Sequence, residues 1–139
     1  MGDAPRDPGT EQFRWDGAAV RRLEQNLTGH GLTLYTLAAR HDATGELAGI
    51  TQLVVDPAVP DCGIQQVTAV RPEHRGHRLG LLVKVAMLEL LARRAPSVGR
   101  VVTDNAGAND HMIAINDRLG FAVSGVTRRW FLDVPAPAG

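Results

Sequence analysis

The stretch Val70-Arg-Pro-Glu-His-Arg-Gly-His-Arg-Leu-Gly-Leu81 gathers glycine and cationic side chains between a strand-like run and a long helix-like run. In that setting, consecutive backbone N–H groups at a helix start can face an anion. Gly76 and Gly80 offer close backbone approach, Arg75 and Arg78 add charge, and the helix dipole adds partial positive charge at the same point. The segment is not a P-loop, because Gly80 is followed by Leu81 and Leu82 rather than Lys and Ser/Thr, and it lacks the spacing of a dinucleotide fingerprint. Two readings of the loop stay open: a cradle for the diphosphate of another nucleotide cofactor, and a solvated basic turn. His74 and His77 lack a nearby third ligand and read as solvent-exposed imidazoles, so no metal is expected.

The elements that hold this loop are legible in the periodicity. Ala18, Val20, Leu23 and Leu27 lie at helical spacing after Asp16, which stands where a cap belongs, with Phe13 and Trp15 placed to staple the helix to a sheet. Leu32, Leu34, Leu37 and Ala39 mark one strand and Ile50 to Val55 a second, joined by the hairpin loop His41-Asp-Ala-Thr-Gly45. Ile64 to Val70 is a third strand, closed by Pro72. Leu81 to Arg94 is too long for a strand and reads as a buried helix, with Arg93 and Arg94 at its negative end and Met87 as core filler. Val101 to Thr103 reads as a short buried strand, and Asn109 to Leu119 as a helix capped by Gly120. Phe121 to Val123 and Val126 to Val134 complete the pattern as two expected strands, with Trp130 a packed aromatic and Arg128-Arg129 a solvated edge. The expected fold class is α/β (α+β): a mixed, mostly antiparallel central sheet flanked by helices.

Composition bounds the rest. The chain has 139 residues, 44% of them hydrophobic and 22% charged, which suits one folded domain and excludes a disordered or collagen-like chain. Lys+Arg and Asp+Glu both number 15, so no long-range field gathers nucleic acid or an anionic membrane. The lone Cys62 makes no internal disulfide and no cysteine-rich zinc site. No apolar run spans a bilayer and no signal-peptide core is visible, so a soluble cytoplasmic domain is expected. The domain is expected over residues 13–134, with residues 1–12 and 135–139 as disordered tails.

Three features together resemble the GNAT superfamily of acetyl-CoA-dependent N-acetyltransferases. The strand Gln66-Val-Thr-Ala-Val70 leads into Arg75-Gly-His-Arg-Leu-Gly80, which looks like the family's R/Q-x-x-G-x-G/A pyrophosphate loop. Asp104-Asn-Ala-Gly-Ala-Asn109 followed by Met112, Ile115 and Asn116 is the second, and Leu119-Gly-Phe121 the third. The resemblance runs from about Leu32 to Val134, and the chain looks especially like the C-terminal lobe found in some two-domain actinobacterial members. In two respects the chain departs from the family. Arg78 stands where the loop usually has glycine, so it must adopt a conformation that tolerates a Cβ, or the loop must shift. The family's first strand and helix have little counterpart before Asp16. The expectation is a shortened N-terminal portion, with a homodimer or partner chain completing the fold.

The resemblance implies an enzyme transferring an acetyl group from acetyl-CoA, a cosubstrate, to the amine of a small molecule. Ala69 and Val70, where the strand splays from its neighbour, would offer backbone groups to the pantetheine arm, and the Val70 N–H would polarise the acetyl carbonyl. The amides of Arg75, Gly76, His77, Arg78, Leu79, Gly80 and Leu81 would hold the diphosphate, and Asn109 would hydrogen-bond the pantetheine arm. Asp104 is the first candidate base, its carboxylate made useful by partial burial, set against a purely structural role as a turn or cap residue. Gln66 and Thr68 point toward the site and could hold a relaying water. Many members place a tyrosine acid near the position of Asn116; here Tyr35, the only tyrosine, sits on a distant strand, which leaves the acid unassigned. The competing class is a non-catalytic acyl-CoA-binding module or the accessory half of a larger assembly.

Overall fold

The computed structural model describes residues 17–137. The expected cap at Asp16, the staple of Phe13 and Trp15, the tail 1–12 and the last two residues of the chain lie outside them. In order the chain forms helix α1 (Gly17–Gly29), strands β1 (Thr33–Arg40), β2 (Leu47–Val55) and β3 (Cys62–Val70), and a single 3-10 turn at Pro72–His74. Helix α2 (Leu79–Arg94), strand β4 (Arg100–Val102) and helix α3 (Asp110–Arg118) follow.

The strands form one sheet in the order β1-β2-β3-β4. The first two junctions are antiparallel and the last is parallel, with α2 as the crossover between β3 and β4. This is the mixed, mostly antiparallel α/β sheet read from the periodicity. The β1–β2 loop closes through bonds from the His41 N–H to the Glu46 carbonyl and from the Gly45 N–H to the His41 carbonyl, both 2.8 Å. Gly45 takes a φ of +72° there, at no steric cost to a glycine.

The core forms between the sheet and α2. Leu53 and Val55 of β2 meet Met87 and Leu91 of α2, with Tyr35, Leu37, Leu90, Val98 and Val101 packed around them. Leu53, Val55, Tyr35 and Leu37 share one face because side chains alternate along paired strands and Tyr35 sits opposite Leu53. On α2 the buried residues are Gly80, Val83, Lys84, Met87 and Leu91, a stripe at steps of three and four that faces the sheet.

The end of the chain corrects an expectation. Residues 121–137 form neither helix nor strand, although two strands were read at 121–123 and 126–134. A strand exists only by pairing, and this segment pairs with no strand among the described residues. Val123, Val126, Trp130, Phe131, Leu132 and Val134 therefore stand in solvent, Trp130 with 86% of its surface exposed rather than packed.

Candidate active site

The site begins where two neighbouring strands part. β3 and β4 pair only over Cys62–Ile64 and Arg100–Val102, so the rest of β3, from Gln65 to Val70, has no ladder partner on that side. Arg71 donates its N–H to the Ala48 carbonyl at 2.9 Å. Because bonded and non-bonded pairs alternate along an antiparallel ladder, the pair Gly49–Val70 is non-bonded. The N–H and C=O of Val70 thus face away from β2, into the gap, and the Val70 carbonyl accepts from Arg75 Nε at 3.3 Å on that side.

A bulge shapes the same strand. Thr51 opposes Thr68 and Leu53 opposes Gln65, so β3 carries one residue more than β2 between these pairs. Gln65, a residue that sequence reasoning passed over, anchors the bulge. Its buried Nε2 donates to the Gln52 carbonyl at 2.6 Å and to Thr51 Oγ1 at 2.9 Å. Thr68 is held by the same group, 2.8 Å from Thr51 Oγ1. Gln66 lies apart from Thr68: it is exposed, and its amide reaches only the Ile64 carbonyl, at 3.5 Å.

The loop after β3 delivers the N-terminus of α2 to the mouth of the gap. Arg75 spends its own N–H on the Pro72 carbonyl at 3.3 Å, so the helix-start amides open to a ligand are those of residues 76–81. Gly76 takes a φ of +81°. Arg78 is the only described non-glycine residue with positive φ, at φ 59° and ψ 24°, and directly precedes α2 as its N-cap. The position keeps a left-handed backbone even with a Cβ attached, a conformation that costs an L-residue about 1–3 kcal/mol. Gly80 is buried, and its bare Cα is needed by the protein itself: a Cβ there would stand 3.0 Å from Ile115 Cδ1 and 3.9 Å from Val70 Cγ2. The end of β3, the start of α2 and the middle of α3 therefore meet at Gly80.

Asn109 caps α3, its Oδ1 accepting from the Met112 N–H at 3.3 Å. Asp104 follows β4, two residues past the last β3–β4 pair; it is exposed, where partial burial was expected. Tyr35 packs against the core on β1. His41 and His74 rings lie 4.9 Å apart, and among the described residues no group of three metal-ligating side chains occurs.

One buried group was not singled out from sequence. Lys84, with 2% of its surface exposed, donates from Nζ to Asn116 Oδ1 at 2.5 Å and lies 5.1 Å from the Phe121 ring centre. Burial pushes its pKa down from 10.5 to about 8. The end of α3 places Phe121: the Phe121 N–H reaches the Asn116 carbonyl and the Gly120 N–H that of Asp117, a Schellman turn with Gly120 at φ +85°. The sequence signal was spacing, since Lys84 falls on the stripe of Gly80, Met87 and Leu91.

The residues present fit an acyl-CoA: an open helix start for a diphosphate and, among the described residues, an unpaired strand edge for an extended arm. A mixed sheet that parts beside such a helix start is the arrangement that the resemblance to the GNAT superfamily implies. Among solved structures, a tandem GNAT protein from the clavulanic acid biosynthesis pathway is 44% identical over 74% of this chain, with a TM-score of 0.71. The chain spans about a third of that protein's length, 32%. An acetyltransferase from Trypanosoma brucei shares the fold at a TM-score of 0.64 and 20% identity, covering 88% of this chain and 84% of its own. The glucosamine-6-phosphate N-acetyltransferase of Arabidopsis thaliana does so at 0.58 and 14%, covering 83% and 76%. No protein-family model and no curated protein matches the chain. The fold is that of the GNAT superfamily, and the similarity to the tandem protein places the chain within it.

Proposed function

We propose that the chain is an N-acetyltransferase that moves an acetyl group from acetyl-CoA to the amine of a small molecule. The observation that carries this reading is the gap itself: the Val70 N–H faces the unpaired edge of β3, beside the open amides of residues 76–81. The diphosphate would lie on those amides, with Arg75 and Arg78 close by. The pantetheine arm would run along residues 65–70 as an added strand, and Val70 would donate to the acetyl carbonyl as negative charge develops there. Asn109, its acceptor spent on the cap, would offer its amide nitrogen to the arm. Asp104, in the loop after β4, would take the amine's proton directly, or through water held by Gln66 or Thr68.

The apolar residues exposed between 123 and 134 support a second element of the reading: this segment pairs with another protein surface, in a homodimer or with a partner chain. Calorimetry with CoA, followed by a thiol-release assay with acetyl-CoA and a panel of small amines, tests the enzymatic reading. CoA binding with turnover on an amine supports it. CoA binding with turnover on none makes the chain a non-catalytic acyl-CoA-binding module, and no CoA binding removes both.

A further inference from the structure

Val70 is the last residue of β3, and its carbonyl faces the gap at the end nearest the start of α2. Arg75, five residues on, already reaches it: Nε donates to the Val70 oxygen at 3.3 Å. The bond is longer than the usual ~2.9–3.0 Å and joins a cation to a neutral acceptor. Arg75 is exposed, so its side chain can leave this contact without opening a cavity. The loop around it is fixed by other bonds. The Arg71 N–H reaches the Ala48 carbonyl at 2.9 Å, and the Arg71 guanidinium lies 2.9 Å from Glu73. The Arg75 N–H reaches the Pro72 carbonyl at 3.3 Å, and His77 Nδ1 stands 3.0 Å from the Arg75 carbonyl. The backbone of Arg75 is thus held from both sides, while its side chain reaches back over the end of β3.

We infer that Arg75 is a latch on the β3 edge: seated on the Val70 carbonyl it closes the edge to the pantetheine arm, and moved to a diphosphate on the amides of residues 76–81 it opens it. The inference rests on the reading of the chain as an acetyl-CoA-dependent transferase. An arm that joins β3 as an added strand brings amide N–H groups, which need acceptors once they leave water. A carbonyl oxygen can accept twice, but the guanidinium stands on the gap side, where the arm has to lie. A diphosphate draws the guanidinium off because it offers parallel bonds to anionic oxygens in place of one bond to a neutral oxygen. The nucleotide end of the cofactor therefore binds first and admits the arm. By linkage, each half of the cofactor strengthens the binding of the other.

The test separates the cofactor into its halves, ADP and pantetheine, and titrates each into the full chain by NMR, which reads affinities into the millimolar range. Wild type is expected to bind pantetheine about three- to tenfold more tightly with saturating ADP than without it. Arg75→Met keeps the length of the stem and loses the donors. It is expected to bind pantetheine alone about three- to tenfold more tightly than wild type does, with no further gain from ADP. Arg75→Ala, with no stem left to touch the arm, is expected to match it. A gain of affinity on truncating an arginine is a result that a merely structural Arg75 does not give. Pantetheine affinity equal in wild type and variants, or an effect of ADP that survives in the variants, overturns the inference. So does pantetheine binding to none of the proteins in the presence of ADP. In each case, intact CoA that still binds wild type leaves the enzymatic reading standing. Absence of CoA binding to wild type overturns that reading, and the inference with it.

Discussion

Gly80 of α2 lies so close to Ile115 of α3 that a Cβ on residue 80 would stand 3.0 Å from the Ile115 Cδ1. The glycine that a phosphate-loop reading assigns to ligand approach therefore also lets two helices meet. Gly80→Val is expected to destabilise the fold by about 1–3 kcal/mol through overpacking. Ile115→Ala, which opens space at the same contact, should recover part of that loss. A denaturant-unfolding double-mutant cycle checks this, with a coupling above about 0.5 kcal/mol expected and strict additivity counting against the contact.

Arg78 offers the opposite case. Its left-handed backbone, at φ 59°, suits glycine better than arginine. Arg78→Gly is expected to raise stability by about 1 kcal/mol, the relieved strain less the entropy that glycine adds to the unfolded chain. It also removes a loop cation, so CoA affinity should fall and its salt dependence flatten. Melting curves and calorimetry at two ionic strengths measure the two effects separately.

The contrast marks what the sequence could disclose. β1 to β3, α2 and α3 were legible because period-two and period-three-to-four patterns report which face is buried, and the loop was legible because glycine and arginine have few other uses between a strand and a helix. Val126 to Val134 has the alternation of a strand, yet alternation reports a capacity to pair and not the pairing itself, and the segment pairs with no strand among the described residues. The bulge at Gln66 and Val67 was hidden because it depends on register with β2. Lys84 was hidden for another reason: lysines usually stand in solvent, and only its place on the stripe of Met87 and Leu91 marks it as buried.

Burial of Lys84 predicts how stability follows pH. Its folded pKa of about 8 lies below the 10.5 of the exposed side chain, so between those values the unfolded chain binds more protons than the folded one. Stability contributed at this site is therefore lowest below pH 8 and recovers as pH rises toward 10.5. Lys84→Met removes the penalty, so the variant should match or exceed wild type by about 1–3 kcal/mol at pH 7, with the difference shrinking above pH 9. Urea unfolding of both proteins across this range checks it, and a constant difference would show that Lys84 does not titrate with folding.

The exposed apolar residues near the end of the chain predict association. Trp130, Phe131 and Leu132 are each more than 70% exposed, with values of 86%, 72% and 85%. Such a patch favours burial against a second surface. Light scattering should report a species larger than the monomer at micromolar concentration, and Trp130→Glu should return it to monomer without lowering the melting temperature. A wild-type monomer up to millimolar concentration would remove the homodimer and leave a partner chain.

Asp104 tests the chemistry most directly. It stands in the loop after β4, the strand that parts from β3, and its side chain is open to water. As the base it would accept the proton that the amine sheds while the carbon–nitrogen bond forms. Asp104→Asn keeps the size and the hydrogen-bonding capacity but cannot take that proton. The rate should fall by about a hundred- to ten-thousandfold, equivalent to roughly 3–5 kcal/mol in the barrier. CoA affinity should stay the same, since the diphosphate and the arm are held elsewhere. The pH profile carries a further signature: without a base, only amine that is already neutral reacts. The variant's rate should then climb about tenfold per pH unit below the amine's own pKa. A purely structural Asp104 gives the reverse pattern, a lower melting temperature and an unchanged rate per folded molecule. Measuring kcat against pH for both proteins, with CoA affinity and melting temperature alongside, separates the two. Equal rates would transfer the proton to a water held by Gln66 or by Thr68, whose hydroxyl is already anchored 2.8 Å from Thr51.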